Sequence, residues 1–114
     1  MHELGICDAL RKMVSRIAAE EGADKVTSIT VEVGTLSGVV PRFLADGWEA
    51  VTDGTPLEGT VMHIETVNGT AECLDCGAVF PADLSDLRCP ECRGTKLTPL
   101  TGRELTLKEI LLPE

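Results

Sequence analysis

From about Glu3 to Glu21 apolar side chains recur at three- and four-residue steps. Ile6, Leu10, Met13, Val14 and Ile17 take one side, and Arg11, Lys12, Ser15 and Arg16 the other. That period predicts an amphipathic helix, with Gly22 as its stop. The pattern then changes to alternation. In Val26–Val33, Ile29, Val31 and Val33 interleave with Ser28, Thr30 and Glu32, as in a half-buried strand. Gly34 and Gly38 mark a loop. Pro41 suits the first turn of a second helix, with Leu44, Trp48 and Val51 on one face. Gly47 inside that helix costs about 1 kcal/mol relative to alanine. Gly54 and Pro56 end it. Val61–Val67 reads as a second strand with Met62 and Ile64 on one side, Asn68-Gly69 as a turn, and Leu105–Leu112 as a last strand. The expected fold is α/β (α+β): two helices on one face of a small three-stranded mixed sheet.

Between the turn and the last strand lies a segment of different character. It holds Cys73-x2-Cys76 and Cys89-x2-Cys92, separated by twelve residues, and few large apolar side chains. Two paired CxxC units supply four sulfurs, the tetrahedral set that suits a structural Zn(II) ion. So little apolar surface cannot close a module by itself, so the metal must do it. The module is expected at 69–99, inserted into a domain made of 1–68 plus 100–114. Four thiolates leave no open coordination position, which argues against catalysis at this site. Three other uses of the quartet stay open at this point: a nucleic-acid-binding ribbon, a rubredoxin-type iron site, and a redox switch that releases zinc. The segment's five acidic against three basic residues disfavour the first. The absence of glycine directly after Cys92 disfavours the second.

Composition narrows the classes further. The 114 residues are 43% hydrophobic and only 3% aromatic (Phe43, Trp48, Phe80), so the core must be aliphatic. A net charge of -9 works against binding nucleic acid or an anionic membrane. No apolar run approaches the roughly 20 residues of a membrane span, and Asp8, Arg11 and Lys12 interrupt any leader-like stretch. A cytoplasmic location is the expectation, and in that reducing setting paired cysteines read as metal ligands. Cys7 stands apart from the quartet and reads as a small buried hydrophobe. His63 reads as a surface residue of its strand. No phosphate-binding G-x4-G-K-[ST] loop and no Ser/His/Asp arrangement is present, so no enzyme activity is expected.

The opening residues Met1-His2-Glu3 form a candidate chelate. A large second residue favours retention of Met1, which puts its α-amine beside the His2 amide and imidazole. The Glu3 amide or carboxylate offers a fourth donor. Nitrogen donors in a plane favour Ni(II) or Cu(II). The first N–H groups of a helix have no carbonyl partner, so a metal can displace those amide protons without breaking a helical bond. The plainer reading is that His2 is simply an exposed terminal residue.

Taken together, the MHE start, the stretch Glu32-Val33-Gly34-x-Leu36-Ser37-Gly38-Val39 and the four-cysteine module resemble the HypA/HybF family of nickel metallochaperones along essentially the whole chain. The resemblance implies Ni(II) bound through His2 with the neighbouring Met1 and Glu3 nitrogens, and structural Zn(II) on Cys73, Cys76, Cys89 and Cys92. It implies delivery of nickel to the large subunit of a [NiFe]-hydrogenase with the help of a HypB-type GTPase, by a monomer or weak homodimer. Where some relatives have a further histidine or aspartate near the nickel, this chain has Val40 and Thr98. The rival readings are a zinc-ribbon adaptor for protein partners and a small zinc redox switch, neither carrying nickel.

Overall fold

The computed structural model describes His2–Glu114, apart from the His2 side chain. The element order is α1 (His2–Glu20), β1 (Ser28–Gly34), α2 (Pro41–Thr52), β2 (Val61–Val67), β3 (Gly69–Cys73), β4 (Val79–Ala82), β5 (Leu97–Thr101) and β6 (Leu105–Leu111). The strands form two three-stranded sheets, ordered β2-β1-β6 and β4-β3-β5. In the first, backbone bonds from Thr27 N to Leu111 O and from Gly34 N to Glu104 O run in opposite senses along β1 and β6. Bonds from Val61 N to Thr27 O and from Thr35 N to Val67 O run in the same sense along β1 and β2. The sheet is therefore mixed, with β1 in the middle. The second sheet is antiparallel, with Ala71 opposite Phe80 on one side and Pro99 on the other.

The chain divides into two compact units. One contains Met1–Val31, Val39–Glu65 and Leu107–Glu114; the other contains Glu32–Gly38 and Thr66–Thr106. In the first, the core is aliphatic apart from one tryptophan. Cys7, Leu10, Val14 and Ala18 of α1, Ile29 and Val31 of β1, and Leu44 and Trp48 of α2 are buried. Burying each large apolar side chain stabilises the fold by about 1.5–3 kcal/mol. Met13, expected on the apolar stripe, is exposed, because the buried line runs Cys7–Leu10–Val14–Ala18 and leaves Met13 at its edge. Trp48 satisfies its indole N–H on Thr60 O at 2.9 Å, and the Thr60 hydroxyl donates to Val26 O at 2.7 Å. These bonds tie α2 to the start of β2 and the approach to β1.

Gly47 has a reason beyond backbone freedom. Fully buried Cys7 donates its S–H to Leu44 O at 3.1 Å, and a Cβ built on Gly47 would lie 3.0 Å from the Cys7 sulfur. The two helices approach where neither carries bulk. In the second unit, Gly34, Gly69 and Gly102 meet in the same manner. A Cβ on Gly34 would collide with Gly102 O, and one on Gly102 would collide with the Gly69 Cα. The turn expected at Asn68-Gly69 does not form; β2 runs almost directly into β3, and Gly69 serves close approach instead of reversal.

Two outcomes follow from the α1–α2 contact. Gly47→Ala should destabilise the chain by about 1 kcal/mol, since overpacking outweighs the gain in helix propensity. In a Cys7→Ala background the sign should reverse; thermal unfolding of the four proteins of the cycle measures it. Burial, and secondarily the Glu3 carboxylate, push the Cys7 thiol up from 9.0 to about 11. A group whose folded value is raised gives stability that is complete below its unfolded value and is lost as pH rises through the folded one. Stability should therefore fall between pH 9.0 and about 11 more steeply in the native chain than in Cys7→Ala, as denaturant melts at fixed pH will record.

Candidate metal centre

Each CxxC pair sits on a knuckle of the same construction. Cys73 N donates to Ala78 O at 2.8 Å and Gly77 N to Cys73 O at 2.8 Å; Cys89 N donates to Gly94 O at 2.9 Å and Arg93 N to Cys89 O at 2.8 Å. The residue directly after the second cysteine must turn back, and it does so with positive φ: 79° at Gly77 and 63° at Arg93. Arg93 is the single non-glycine residue among the described residues in that region. The first knuckle follows β3 and leads into β4, so the β3–β4 hairpin aims Cys73 and Cys76. A backbone bond from Leu74 N to Lys96 O, 2.8 Å, brings the second knuckle alongside.

The four sulfurs lie within 4.8 Å of one another. The Cys73–Cys92 and Cys76–Cys89 sulfurs are 3.5 and 3.6 Å apart. A tetrahedral ion with metal–sulfur bonds of about 2.3 Å holds its sulfurs roughly 3.8 Å apart, so the donor set fits such an ion and these two spacings lie close to what it needs. Backbone N–H groups already face the sulfurs: Glu91 N to Cys89 Sγ and Gly94 N to Cys92 Sγ, both 3.4 Å. Their effect differs from thiol to thiol. The Cys92 N–H, helped by the Glu91 N–H and opposed by burial, draws the Cys89 thiol down to about 7. At Cys76 the Ala78 N–H favours the thiolate, but hydrogen bonding with Cys89 and desolvation outweigh it and hold the thiol up at about 12. Four thiolates at this spacing repel one another, and a divalent cation among them supplies the compensating positive charge. All four positions of such an ion would be filled by protein, which suits structure and not turnover.

The aliphatic residues around the site are few. Ala71, Cys73, Phe80, Ala82 and Cys89 form the buried cluster, with Leu36, Ala78 and Leu97 against it. Two of those five are themselves ligand candidates. Thr35 supports the cluster from β1's end: its hydroxyl donates to Ala82 O at 2.8 Å and accepts from Gly69 N at 2.8 Å.

The structure thus brings Cys73, Cys76, Cys89 and Cys92 into one site. Of the amino-terminal candidates, Met1 and the side chain of His2 lie outside the described residues. Glu3 is described. It lies in the first turn of α1, half-buried, and its carboxylate accepts the Val40 N–H at 3.3 Å, directly before α2. The negative end of this bond sits at the positive end of α2, a favourable arrangement that also spares α2 a side-chain cap. His63 is exposed on β2 and Cys7 is buried, far from each other in role and both outside the sulfur cluster. The Glu3–Val40 bond and the backbone of Arg93 were not legible beforehand, since neither a long-range N–H partner nor a left-handed arginine leaves a compositional trace.

Fold and site together define a small α/β chain with a closed four-cysteine metal module. A family model described as "Hydrogenase/urease nickel incorporation, metallochaperone, hypA" matches residues 1–112. The chain is 37% identical over 110 residues to the hydrogenase maturation factor HypA of Geobacter metallireducens, covering 96% of this chain and 97% of that protein. It is 33% identical over 110 residues to HypA of Paracoccus denitrificans and to HybF of Salmonella typhimurium, with the same coverage. The fold is similar to that of the nickel metallochaperone HypA from Helicobacter pylori in solution, with a TM-score of 0.66, 20% identity and 96% of each chain covered. A second HypA solution structure gives a TM-score of 0.69 at 21% identity, over 99% of this chain and 97% of the other. The chain belongs to the HypA family. That family consists of metallochaperones for nickel incorporation, not enzymes, in line with the expectation of no catalytic activity.

Arg93 and Gly77 hold the same position in two knuckles, which makes them a matched pair. Arg93→Gly should raise the stability of the metal-loaded chain by about 1 kcal/mol by removing the left-handed penalty. Gly77→Ala should lower it by a similar amount, because nothing lies within 4 Å of the added Cβ and only φ opposes it. Melting curves at fixed metal content should move in opposite directions.

Proposed function

We propose that this chain carries Ni(II) on its first residues and surrenders it to the large subunit of a [NiFe]-hydrogenase in the cytoplasm, assisted by a HypB-type GTPase, while Cys73, Cys76, Cys89 and Cys92 hold a structural Zn(II). Membership of a nickel-incorporation family supports the cargo. The observation that carries the site is that the described helix α1 includes His2 and has Glu3 in its first turn. The His2 and Glu3 amides therefore stand among the N–H groups that lack an intrahelical carbonyl, and a metal can take their place at no loss of helix bonding. With a free Met1 α-amine and the His2 imidazole, they complete a planar nitrogen set of the kind Ni(II) prefers. Glu3 enters through its backbone nitrogen. Its carboxylate is already bonded to Val40 N–H, and it positions the start of α1 instead of closing the coordination sphere.

Such a chelate is open on one side and can be dismantled one donor at a time by incoming ligands. Each donor must lose a proton to bind, so affinity should drop as pH falls through roughly 8 to 6, the range of amine and imidazole. Nickel titration of three proteins tests the reading: the native chain, His2→Ala, and a chain with a short extension before Met1, with mass spectrometry verifying a free Met1 amine in the first. Both changes should weaken nickel binding about tenfold or more while elemental analysis still finds one zinc per chain. Undiminished nickel affinity in both altered proteins would remove the amino-terminal site.

A further inference from the structure

The metal module has a surface feature that neither nickel carriage nor the sulfur site uses. A groove of about 210 Å³ opens between the β3–β5 face and the segment after β4, lined by Leu36, Leu84, Leu87, Leu97, Pro99 and Arg103. The segment is held in shape by its own turn. The Asp83 carboxylate accepts the Ser85 N–H at 2.8 Å and also the Ser85 hydroxyl, and the backbones of Asp83 and Asp86 bridge across the loop. That turn leaves Leu84 and Leu87 at 53% and 44% exposure on the groove wall, where much of their apolar surface stays in water. The groove is too small for a cofactor, whose pockets run to about 300–1,000 Å³, but has room for one or two aliphatic side chains.

One charge lies on its wall. The ion pairs among the described residues engage Arg11, Lys12, Arg88 and Lys108, and none engages Arg103. In a chain of net charge -9, an unpaired guanidinium beside an apolar groove is the reverse of the general field. It selects for a carboxylate placed next to apolar surface, since charge complementarity at short range sets orientation and discriminates against wrong partners. We propose that this groove is a docking site for a segment of a partner protein that inserts a leucine-like side chain and presents a neighbouring carboxylate to Arg103. The proposal does not depend on where nickel binds.

A minimal probe carries both features. N-acetyl-leucine, titrated into the zinc-loaded full chain labelled with ¹⁵N, should give saturable amide shifts at Leu36, Leu84, Leu87, Leu97 and Arg103. N-acetyl-leucinamide, which lacks the carboxylate, should bind about fivefold more weakly. Arg103→Gln should bring the first probe down to the second and leave the second unchanged, and Leu84→Ser should weaken both. Zinc content and melting temperature of the variants, whose altered side chains are exposed, verify that they fold. Equal binding of the two probes, or no saturable shift at these residues, would overturn the proposal. Shifts there that follow protein concentration with no probe present would overturn it too, by making a second copy of the chain the occupant.

Discussion

Four cysteine sulfurs held within 4.8 Å of each other set the terms for the whole second unit. Thiols gain little from such crowding, and thiolates repel. Backbone N–H groups facing Cys89 and Cys92 offset only part of that repulsion. A divalent cation reverses the balance, and nothing else in the unit has comparable strength. The buried cluster offers one phenylalanine and two alanines besides two of the cysteines. At about 25 cal/mol per Å² of apolar surface, so small a core cannot offset the chain entropy of ordering its strands. The two knuckles repeat the same hydrogen bonds because each must deliver two sulfurs and several N–H groups to one point.

In the first unit the beginning of α1 is tied to α2 and to the residue before it. Cys7 against Gly47, the Cys7 S–H on Leu44 O, and the Glu3 carboxylate on Val40 N–H all lie within the first two turns of that helix. Helix ends usually fray. Here packing and two polar contacts, one to Leu44 of α2 and one to Val40 just before it, hold the first two turns.

Much of this was readable from residue order. The 3.6-residue period located α1 to within a residue at each end, and alternation located β2 at Val61–Val67. The CxxC spacing brought out the sulfur site because ligand geometry constrains sequence more tightly than packing does. The second sheet was not readable. β3, β4 and β5 are four or five residues each, and Pro81 and Pro99 interrupt two of them, so propensity is weak. Their pairing is imposed from outside, by the knuckles at one end and the Gly34–Gly69–Gly102 contact at the other. Gly47 and Gly69 show the same limit. Read alone, one is a flaw in a helix and the other a turn; in the fold each is a place where another backbone or sulfur passes too near for a Cβ. Distant neighbours decide those positions, and a linear pattern contains no distant neighbours.

The contrast between the two proposed metal sites follows from coordination alone. A sulfur tetrahedron built from two separate knuckles releases its ion only if both loosen, so it is suited to holding. A chelate on consecutive residues at the start of a helix has donors that can leave in sequence, and every intermediate stays bound by the rest. Exchange with an acceptor then proceeds through a series of small barriers. Burying the amino terminus to tighten binding would merge those barriers into one and slow the transfer. In this chain Glu3 is half-buried and its carboxylate accepts the Val40 N–H, which leaves its backbone nitrogen as the donor the proposed chelate would use.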